Sequence, residues 1–417
     1  MLPALATRIV TTVSPKCLWK AGWNLGVKGV LSVERFKSRK KRGIVFPPFL
    51  NLSIINSCNL RCQGCWVDVQ APRTMIETDE LHRIVGDAKA HGNSFFGILG
   101  GEPFLHPGLF DLLERHSDCY FQIFTNGHLI TPDVARRLAA VGNATPLLSI
   151  EGDAAASDVR RGNRQVLERT LRGLDACVSA RLLTGVATSL CQSNIDLLLT
   201  EAWLDRLVDL GVHYTWFHTY RPVGPEATPE LALAPEQLVR VREFVVAQRA
   251  RKPIAIVDAY YDGEGRALCP MAAGITHHVG PSGYVEPCPI IQLAVDDART
   301  GSFYDTVTRS AYLRDMRAAA AAHSRGCVML ENPQLVLEIA ARHGARDTTQ
   351  RGTVRQELAA ATPRSSQDLP GLERPERHWT YRLAKRFWFN DFGVYPARRP
   401  GERGAAVAAT TNEEPRR

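Results

Sequence analysis

Three cysteines near residue 60 are the side chains best suited to chemistry. Cys58, Cys62 and Cys65 are spaced C-x3-C-x2-C and directly follow the apolar run LNLSII. Three thiolates on one short loop can hold three corners of a cubane iron–sulfur cluster and leave its fourth iron without a protein ligand. A metal centre needs such an open position to act on a bound molecule. The spacing also leaves open a zinc site with a distant fourth ligand.

A second group of cysteines lies in the last third of the chain. Cys269, Cys288 and Cys327 occur in a region rich in Gly and Pro, and the other four of the ten cysteines stand singly. The amino terminus shows no secretory signal pattern, so we expect a cytoplasmic protein with reduced thiols. Clustered thiols then indicate metal or iron–sulfur ligation. The nearby His277 and His278 could also ligate, although we expect these histidines at the surface.

The elements that must position the first cysteines alternate regularly. Six short β-rich runs alternate with longer segments of helical spacing between Phe49 and Tyr220. Two helical segments begin with a cap, at Thr78 and at Thr131, the latter followed by Pro132. This alternation predicts parallel βαβ units, and therefore an α/β fold with either a partial barrel or an open doubly wound sheet. The six runs are LNLSII, FFGIL, YFQIF, PLLSI, GVATSL and VHYTWFH.

Glycine-rich and polar segments follow the predicted strands one after another. They are Gly100-Gly101-Glu102-Pro103, Thr125-Asn126-Gly127, Ser149-Ile150-Glu151-Gly152 and Arg161-Gly162. Ligands of such folds bind at the carboxyl ends of the strands. Together with the cysteine spacing, this series resembles the radical S-adenosylmethionine (SAM) superfamily, whose C-x3-C-x2-C signature follows the first strand. The resemblance implies a partial (β/α)6 barrel as the core.

The resemblance also implies a reaction and a set of ligands. A [4Fe-4S] cluster on Cys58, Cys62 and Cys65 binds SAM at its free iron and cleaves it reductively to methionine and a 5′-deoxyadenosyl radical, which attacks the substrate. The protein positions the reactants and excludes water. Glu102 is expected to anchor the amino group of SAM. The residues implied as SAM contacts are Gly100, Gly101, Glu102, Pro103, Asn126, Ser149, Glu151 and Arg161.

Two positions depart from the pattern of the superfamily. Gly64 stands where many members have an aromatic residue before the third cysteine, and Trp66 follows that cysteine instead. Glu151 stands where Asp is common. Neither departure removes a cluster ligand, but both leave the contacts to adenine and ribose open.

The second cysteine group resembles the opening of a SPASM/twitch extension. Cys269, Gly283 and Cys288 are spaced C-x13-G-x4-C, but the later run of closely spaced cysteines in a full SPASM module is absent. The resemblance implies a shortened module with one auxiliary iron–sulfur cluster on Cys269, Cys288 and Cys327. The fourth ligand could be another side chain, a substrate atom or solvent. The alternative is a degenerate module without metal and with three buried thiols.

We predict four parts along the chain. Residues 1–45 form a basic amphipathic segment, 46–225 the core barrel, 226–345 a small Cys-rich auxiliary module, and 346–417 a linker, an aromatic-basic segment and a disordered tail. Hydrophobic residues make up 45% of the chain and charged residues 23%, which excludes bulk disorder. No stretch approaches the ~20 apolar residues of a membrane-spanning helix.

Basic and aromatic residues concentrate near both ends. The net charge is +8, and six of the eight residues from Arg35 to Arg42 are basic. Trp19, Trp23, Val27 and Val30 recur with helical spacing and predict one apolar face. Together with the later stretch HWTYRLAKRFWF, this composition is typical of an interfacial anchor on the anionic inner face of a membrane. Solvated charges are the alternative, and no nucleic-acid module accompanies the basic run.

Three functions follow from these patterns. The first is a radical SAM enzyme that acts on a membrane lipid, and the second is a radical SAM maturase of a ribosomally made peptide. Either enzyme needs an electron donor such as flavodoxin or ferredoxin. The third is a non-catalytic zinc or iron–sulfur binding protein.

Overall fold

The six predicted β-rich runs form neighbouring strands of one sheet. The structure, a computed structural model, describes residues 2–395. The strands are β1 Phe49–Ser53, β2 Phe95–Leu99, β3 Tyr120–Thr125, β4 Ala144–Ser149, β5 Gly185–Leu190, β6 Tyr214–Thr219, β7 Ala255–Val257, β8 Thr276–Val279, β9 Val285–Glu286, β10 Leu293–Ala294 and β11 Arg346–Asp347. The large sheet has the order β7-β6-β5-β4-β3-β2-β1-β8-β9, and all its neighbours are parallel except β8 and β9. The predicted α/β class is therefore confirmed.

Helices connect the parallel strands and cover the sheet. They are α1 Leu2–Thr12, α2 Pro15–Lys20, α3 Lys28–Lys40, α4 Thr78–Ala90, α5 Leu109–Arg115, α6 Pro132–Val141, α7 Ala154–Arg161, α8 Val166–Ser179, α9 Ile195–Leu198, α10 Glu201–Asp209, α11 Pro235–Gln248, α12 Phe303–Arg309, α13 Ala311–His323, α14 Val328–Glu331, α15 Pro333–Arg342, α16 Val354–Ala360 and α17 Trp379–Trp388. Thr131 caps α6 as predicted, because its hydroxyl accepts from the Val134 N–H at 3.3 Å. The cap of α4 is Glu77 and not Thr78, which is the first helical residue. No helix within residues 2–395 is long and apolar enough to cross a membrane.

The Cys-rich region extends the same sheet. It supplies β7 at one edge and β8 and β9 at the other, where β8 pairs in parallel with β1. His277 and His278 lie on β8 and are fully buried, so the expectation that they are surface residues is wrong. The physical reason is that β8 is covered on both faces once it stands beside β1. The boundaries of the four parts stay predictions.

The amino-terminal helices cover the amino edge of the sheet. A π-helical segment, Ala21–Val27, joins α2 to α3, and the side-chain amide of Asn24 donates to the carbonyls of Ser117 and Cys119 just before β3. The predicted apolar face does not point inward: Trp19 is 67% exposed and Trp23 is 44% exposed. The opposite side of the helix is the one that meets the barrel.

The carboxyl-terminal part packs against the rest of the chain. The predicted linker begins with β11, which pairs with β10, and continues into α16. In α17, the Trp388 ring stacks on Phe49 at 5.2 Å, and the Lys385 ammonium is buried against Asp258. The predicted disordered tail after Arg398 lies outside the described residues. Within α17, Lys385 and Trp388 therefore serve internal packing, whereas Trp379 at the start of the helix is 67% exposed.

Candidate functional site

The loop after β1 carries the three cysteines at the carboxyl edge of the sheet. The Leu60 N–H donates to Cys58 Sγ at 3.4 Å, and the guanidinium of Arg161 donates to Cys62 Sγ at 3.6 Å. Burial raises the pKa of Cys58 to about 11 and, with Cys62 as the next cause, that of Cys65 to about 12. Thiols with raised pKa values lose their protons when a metal binds to the sulfur atoms.

The end of α7 clamps this loop from the side. Gln63 and Arg160 are joined by two hydrogen bonds of 2.9 Å, from the Gln63 N–H to the Arg160 carbonyl and from the Arg160 guanidinium to the Gln63 carbonyl. The guanidinium also lies 5.2 Å from the ring centre of Tyr220, beyond β6. A Cβ on Gly162 would lie 2.0 Å from the Arg61 oxygen, so only glycine allows this approach. The sequence carries no local signal for these long-range contacts.

The glycine pair after β2 holds the cysteine loop from the other side. The Gly101 N–H donates to the Ile55 carbonyl at 2.7 Å, and the Glu102 N–H donates to the Ser57 carbonyl at 2.9 Å. A Cβ on Gly100 would lie 2.3 Å from the Ile55 oxygen, and one on Gly101 would lie 2.2 Å from the Ser57 oxygen. The two glycines thus permit direct backbone contact between the end of β2 and the cysteine loop.

The Glu102 carboxylate lies fully buried beside the end of β3. Its Oε1 accepts from the Thr125 hydroxyl at 2.8 Å and from the Phe104 N–H at 3.2 Å. Among residues 2–395, Oε2 accepts only from the Asn126 N–H, at 2.8 Å. Pro103 begins the short turn that presents the Phe104 N–H. Burial raises the pKa of Glu102 to about 7, although these hydrogen bonds oppose the shift. A carboxylate oxygen has two lone pairs, so Oε2 can accept from one more donor.

The ends of β4 and α7 add an ion pair. Glu151 and Arg161 are hydrogen-bonded, and Glu151 also accepts from the Ser189 N–H at 3.2 Å. Burial alone would lower the pKa of Arg161, but Glu151 and the neighbouring thiols, Cys62 first, hold it above its ordinary value. The buried Nε of Arg161 has no acceptor within residues 2–395. Ser149 ends β4.

The second cysteine group comes together behind β6. Burial raises the pKa of Cys269 to about 11 and that of Cys288 further, and Cys327 raises both through its charge. The Arg221 guanidinium is close enough for all three thiols to raise its pKa, against the opposing effect of burial. The Cys269 N–H donates to the Tyr395 hydroxyl at 2.9 Å. The three thiols are therefore neighbours, and their role as ligands stays a prediction.

Neither cysteine group forms a ready site for one isolated ion. Within residues 2–395, no three His, Cys, Asp or Glu side chains converge on a point that would hold a single metal ion. A cubane makes a different demand, because each of its thiolates binds a different iron. The three partly exposed thiols on one loop fit that demand. The raised pKa values of Cys58 and Cys65 keep these two thiols protonated when no metal is bound.

A cleft opens beside the first cysteine loop. Asn56, Trp66, Gly100, His278 and Gln350 contribute to its lining. The rings of Trp66 and His278 meet edge to face, with centres 5.7 Å apart. The cleft therefore provides an approach to the loop from the β1–β8 side of the sheet.

Comparison with protein families identifies the part of the chain that resembles known proteins. A profile described as the radical SAM superfamily matches residues 52–210, which include the first three cysteines and every implied SAM contact. The AdoMet-dependent heme synthase of Methanosarcina barkeri is 27% identical over 155 residues, 36% of this chain and 44% of that protein. The mycofactocin maturase MftC of Mycobacterium tuberculosis is 25% identical over 318 residues, 70% of this chain and 78% of that protein. The chain thus spans less than half the length of the heme synthase and most of MftC.

Solved structures share the fold at low sequence identity. Streptococcus suis SuiB bound to its precursor peptide SuiA gives a TM-score of 0.57 at 18% identity, over 70% of this chain and 71% of SuiB. A structure of anSMEcpe with bound AdoMet gives a TM-score of 0.53 at 14% identity, over 74% of this chain and 93% of that one. These likenesses support a partial barrel as the core, in agreement with the sequence-based expectation.

Proposed function

Residues 52–210 form a radical SAM domain, and from this premise we propose that the protein is a radical SAM enzyme with its active site at the cysteine loop. Members of this superfamily use a [4Fe-4S] cluster and SAM. When bound and reduced, this pair supplies a 5′-deoxyadenosyl radical. One observation carries the proposal: opposite charges with unused hydrogen-bonding capacity, Glu102 and Arg161, flank the loop of Cys58, Cys62 and Cys65.

Different residues of the chain would hold the cluster and SAM. Cys58, Cys62 and Cys65 would ligate three irons, and Asn126, whose amide lies 3.8 Å from Cys58 Sγ, would orient the first thiolate. The loop itself is held between the glycine pair and α7. Exclusion of water by this packing strengthens every electrostatic contact inside the site.

SAM carries an ammonium and a carboxylate, and the site offers a partner for each. The free lone pair on Glu102 Oε2 would accept from the ammonium, which would favour the ionised carboxylate. The unpartnered Arg161 Nε–H would donate to the carboxylate of SAM. Glu151 keeps Arg161 charged and directed, and Gly100, Gly101, Pro103 and Ser149 shape the remaining walls at the strand ends.

An auxiliary iron–sulfur cluster on Cys269, Cys288 and Cys327 is part of the proposal. The three thiols are near one another, and the Arg221 guanidinium would offset the negative charge of a cluster. The nearby Tyr395 hydroxyl fixes the Cys269 backbone. Iron analysis of a triple alanine variant at these cysteines should show a partial loss of iron with the first site intact.

We propose a peptide as the substrate class, which two of the similar proteins support. SuiB is described with a precursor peptide, and MftC is described as a maturase. The exposed side chains of Trp19, Trp23 and Val27 lie on the helices that cover the amino edge of the sheet, whereas the cysteine loop lies at the carboxyl edge. Strands of six residues separate these edges by roughly 20 Å, so the exposed apolar side chains do not line the cysteine loop. Co-expression with short open reading frames that flank the gene, followed by peptide mass analysis, tests this choice.

We also propose that the protein acts in the cytoplasm and rests on the membrane through its amino-terminal helices. Trp19, Trp23, Val27 and Leu31 recur every four residues and are 44–67% exposed, and the Trp19 and Trp23 rings stack at 5.9 Å. Such a stripe is typical of an interfacial helix. The basic run contributes less to membrane binding than its composition indicates, because three of its side chains are hydrogen-bonded within the protein. Lys37 donates to Glu34, Arg39 to the His91 carbonyl and Lys40 to the Phe392 carbonyl.

Liposome flotation tests this membrane contact. Deletion of residues 1–45 would expose the amino edge of the sheet, so the sharper variant is Trp19→Ser with Trp23→Ser. The matched control is Trp379→Ser, because Trp379 is also 67% exposed. We expect flotation with anionic vesicles to fall in the double variant and to persist in the control. Equal flotation of the wild type, the double variant and the control would exclude Trp19 and Trp23 as the membrane contact.

Anaerobic reconstitution tests the proposed reaction. The wild type should bind iron and sulfide and should release deoxyadenosine from SAM when dithionite or a reduced flavodoxin or ferredoxin supplies the electron. The Cys58→Ala/Cys62→Ala/Cys65→Ala variant should release none, and Cys177→Ala, a buried cysteine away from both groups, should behave as the wild type. A zinc protein without SAM cleavage would instead support the non-catalytic alternative.

A further inference from the structure

Three buried N–H groups without acceptors lie on β6 and just beyond it. They are Nε1 of Trp216, Nε2 of His218 and Nε of Arg221, and none has a hydrogen-bond partner among residues 2–395. A buried polar group that is left unpaired costs roughly 1–3 kcal/mol. Three such groups within six residues of one strand end therefore indicate a binding partner other than the described chain.

Ring contacts hold these groups together on one face of the sheet. The rings of Trp216 and His218 stack with centres 5.2 Å apart and planes 13° apart. The Phe124 ring at the end of β3 lies 6.1 Å from each. The Arg221 guanidinium lies 4.5 Å from the ring centre of Tyr260. The strand β3 leads directly into Asn126 beside the first cysteine loop, so this aromatic wall connects the two cysteine groups.

The Tyr260 hydroxyl decides which atoms of His218 can bind a ligand. It accepts from the Arg221 Nη1 at 3.5 Å and lies 3.0 Å from His218 Nδ1. We assign the hydroxyl proton to the bond with Nδ1, because the hydroxyl then donates to His218 while it accepts from Arg221, which uses both its donor and its acceptor. Burial first, and then Arg221, lowers the pKa of His218 to about 3, so the ring is neutral. The single ring proton then resides on Nε2, which becomes a donor.

Arg221 gives the group a positive charge that no carboxylate of the described residues balances. No Asp or Glu of residues 2–395 forms a salt bridge with it, although many other arginines have such a partner. Tyr260 and the three thiols of the second cysteine group hold its pKa above the ordinary value. The group therefore presents three donors, one positive charge and no free acceptor, and a carboxylate is the complement of that set.

We propose that Trp216, His218 and Arg221 form a subsite that binds a carboxylate of the substrate between the two cysteine groups. This inference rests on the proposed function for the statement that the bound molecule is the one modified. The carboxylate itself could belong to a peptide or to a small organic acid. In either case the aromatic wall would pack against the adjoining part of the ligand.

Fluorine NMR of the oxidised holoprotein tests the subsite without turnover. The protein contains seven tryptophans, so labelling with 5-fluorotryptophan gives seven signals, and Trp216→Phe identifies the one to follow. The probes are N-acetyl-diglycine, its carboxyl-terminal amide and acetate. We expect the acid to shift the Trp216 signal saturably and the amide to leave it unchanged. A shift by acetate as well would assign the recognition to the carboxylate alone, and a shift by the peptide acid alone would assign it to a peptide.

Variants at Arg221 separate this role from simple charge balance at the second cysteine group. Arg221→Gln should weaken the response to the acid by about tenfold or more, since a charge-assisted hydrogen bond is worth at least that factor. Iron analysis of the same sample shows whether the second cysteine group still holds its metal in this variant. An equal response to acid and amide, or an unchanged response in Arg221→Gln with loss of iron, would overturn the proposal. Because the binding of the probes is measured without SAM, its result does not depend on whether the protein cleaves SAM.

Discussion

Replacing Gly101 by alanine tests whether backbone contact between two loops positions the first cysteine. The added Cβ would lie 2.2 Å from the Ser57 oxygen and 2.4 Å from the Asn56 oxygen. A relaxed carbon–oxygen contact needs about 3.3 Å, so the two segments must separate by about 1 Å. Gly101 has no positive φ, so alanine there adds crowding without conformational strain. Because Ser57 adjoins Cys58, the displacement reaches a cluster ligand directly.

We expect this variant to fold and to lose most of its activity. A misplacement of 1 Å can reduce a rate by about 10²-fold, so deoxyadenosine release under anaerobic reduction should fall by about that factor, with less bound iron. The control is Gly22→Ala, where the Cβ would meet nothing within 4 Å. Far-ultraviolet circular dichroism establishes folding for both variants. If Gly101→Ala matches Gly22→Ala in iron and in rate, the glycine pair does not position the cysteines.

Three further substitutions test charge and protonation. Asp258→Asn removes the buried carboxylate that bonds Arg242 at 2.7 Å and should destabilise the protein by about 3–5 kcal/mol in urea unfolding, whereas Asp196→Asn, 83% exposed, should have little effect. Burial lowers the pKa of His213 to about 4, so between pH 6.5 and 4 the unfolded chain binds a proton that the folded chain does not. The free energy of unfolding should therefore fall as the pH is lowered through this range, by at most about 1.4 kcal/mol per pH unit. His213→Asn should flatten this pH dependence, and an unchanged slope would contradict the assignment. The pKa of Glu102, about 7, predicts that the affinity for SAM rises from pH 6 to pH 8 as the carboxylate ionises, which equilibrium dialysis can measure. Glu102→Gln should bind SAM weakly at both pH values. Binding by the wild type that does not depend on pH would refute this role of Glu102.

Local spacing explains why the sequence predicts that the residues of the candidate site lie at one edge of the sheet. The cysteine loop, the glycine pair and Glu102 each follow a strand whose β-rich run is visible by itself, and parallel strands bring their carboxyl ends to one edge. The clamp between Arg160 and Tyr220 could not be predicted, because it joins residues 60 positions apart that have no shared pattern. The donors on β6 were likewise hidden, since their significance depends on which acceptors are absent in the fold.

Burial at the sheet edge and at the amino terminus also depends on tertiary contacts. Strands of two to four residues, such as β7, β8 and β9, are too short for periodicity to identify, and His278 is buried only because β8 pairs with β1. Helical spacing places Trp19 and Trp23 on one face but does not say which face is covered. Here Asn24, Gly29 and Phe36 meet the protein, and the tryptophans meet solvent.

Electron paramagnetic resonance with and without SAM tests the central claim most directly, namely that three thiolates hold a cubane with one iron open to SAM. The sample is the anaerobically reduced Cys269→Ala/Cys288→Ala/Cys327→Ala variant, in which the first cysteine loop alone can hold a cluster. We predict the signal of a reduced [4Fe-4S] cluster whose g values change when SAM is added. A spectrum with no cluster signal, or one that SAM leaves unchanged, would contradict the account.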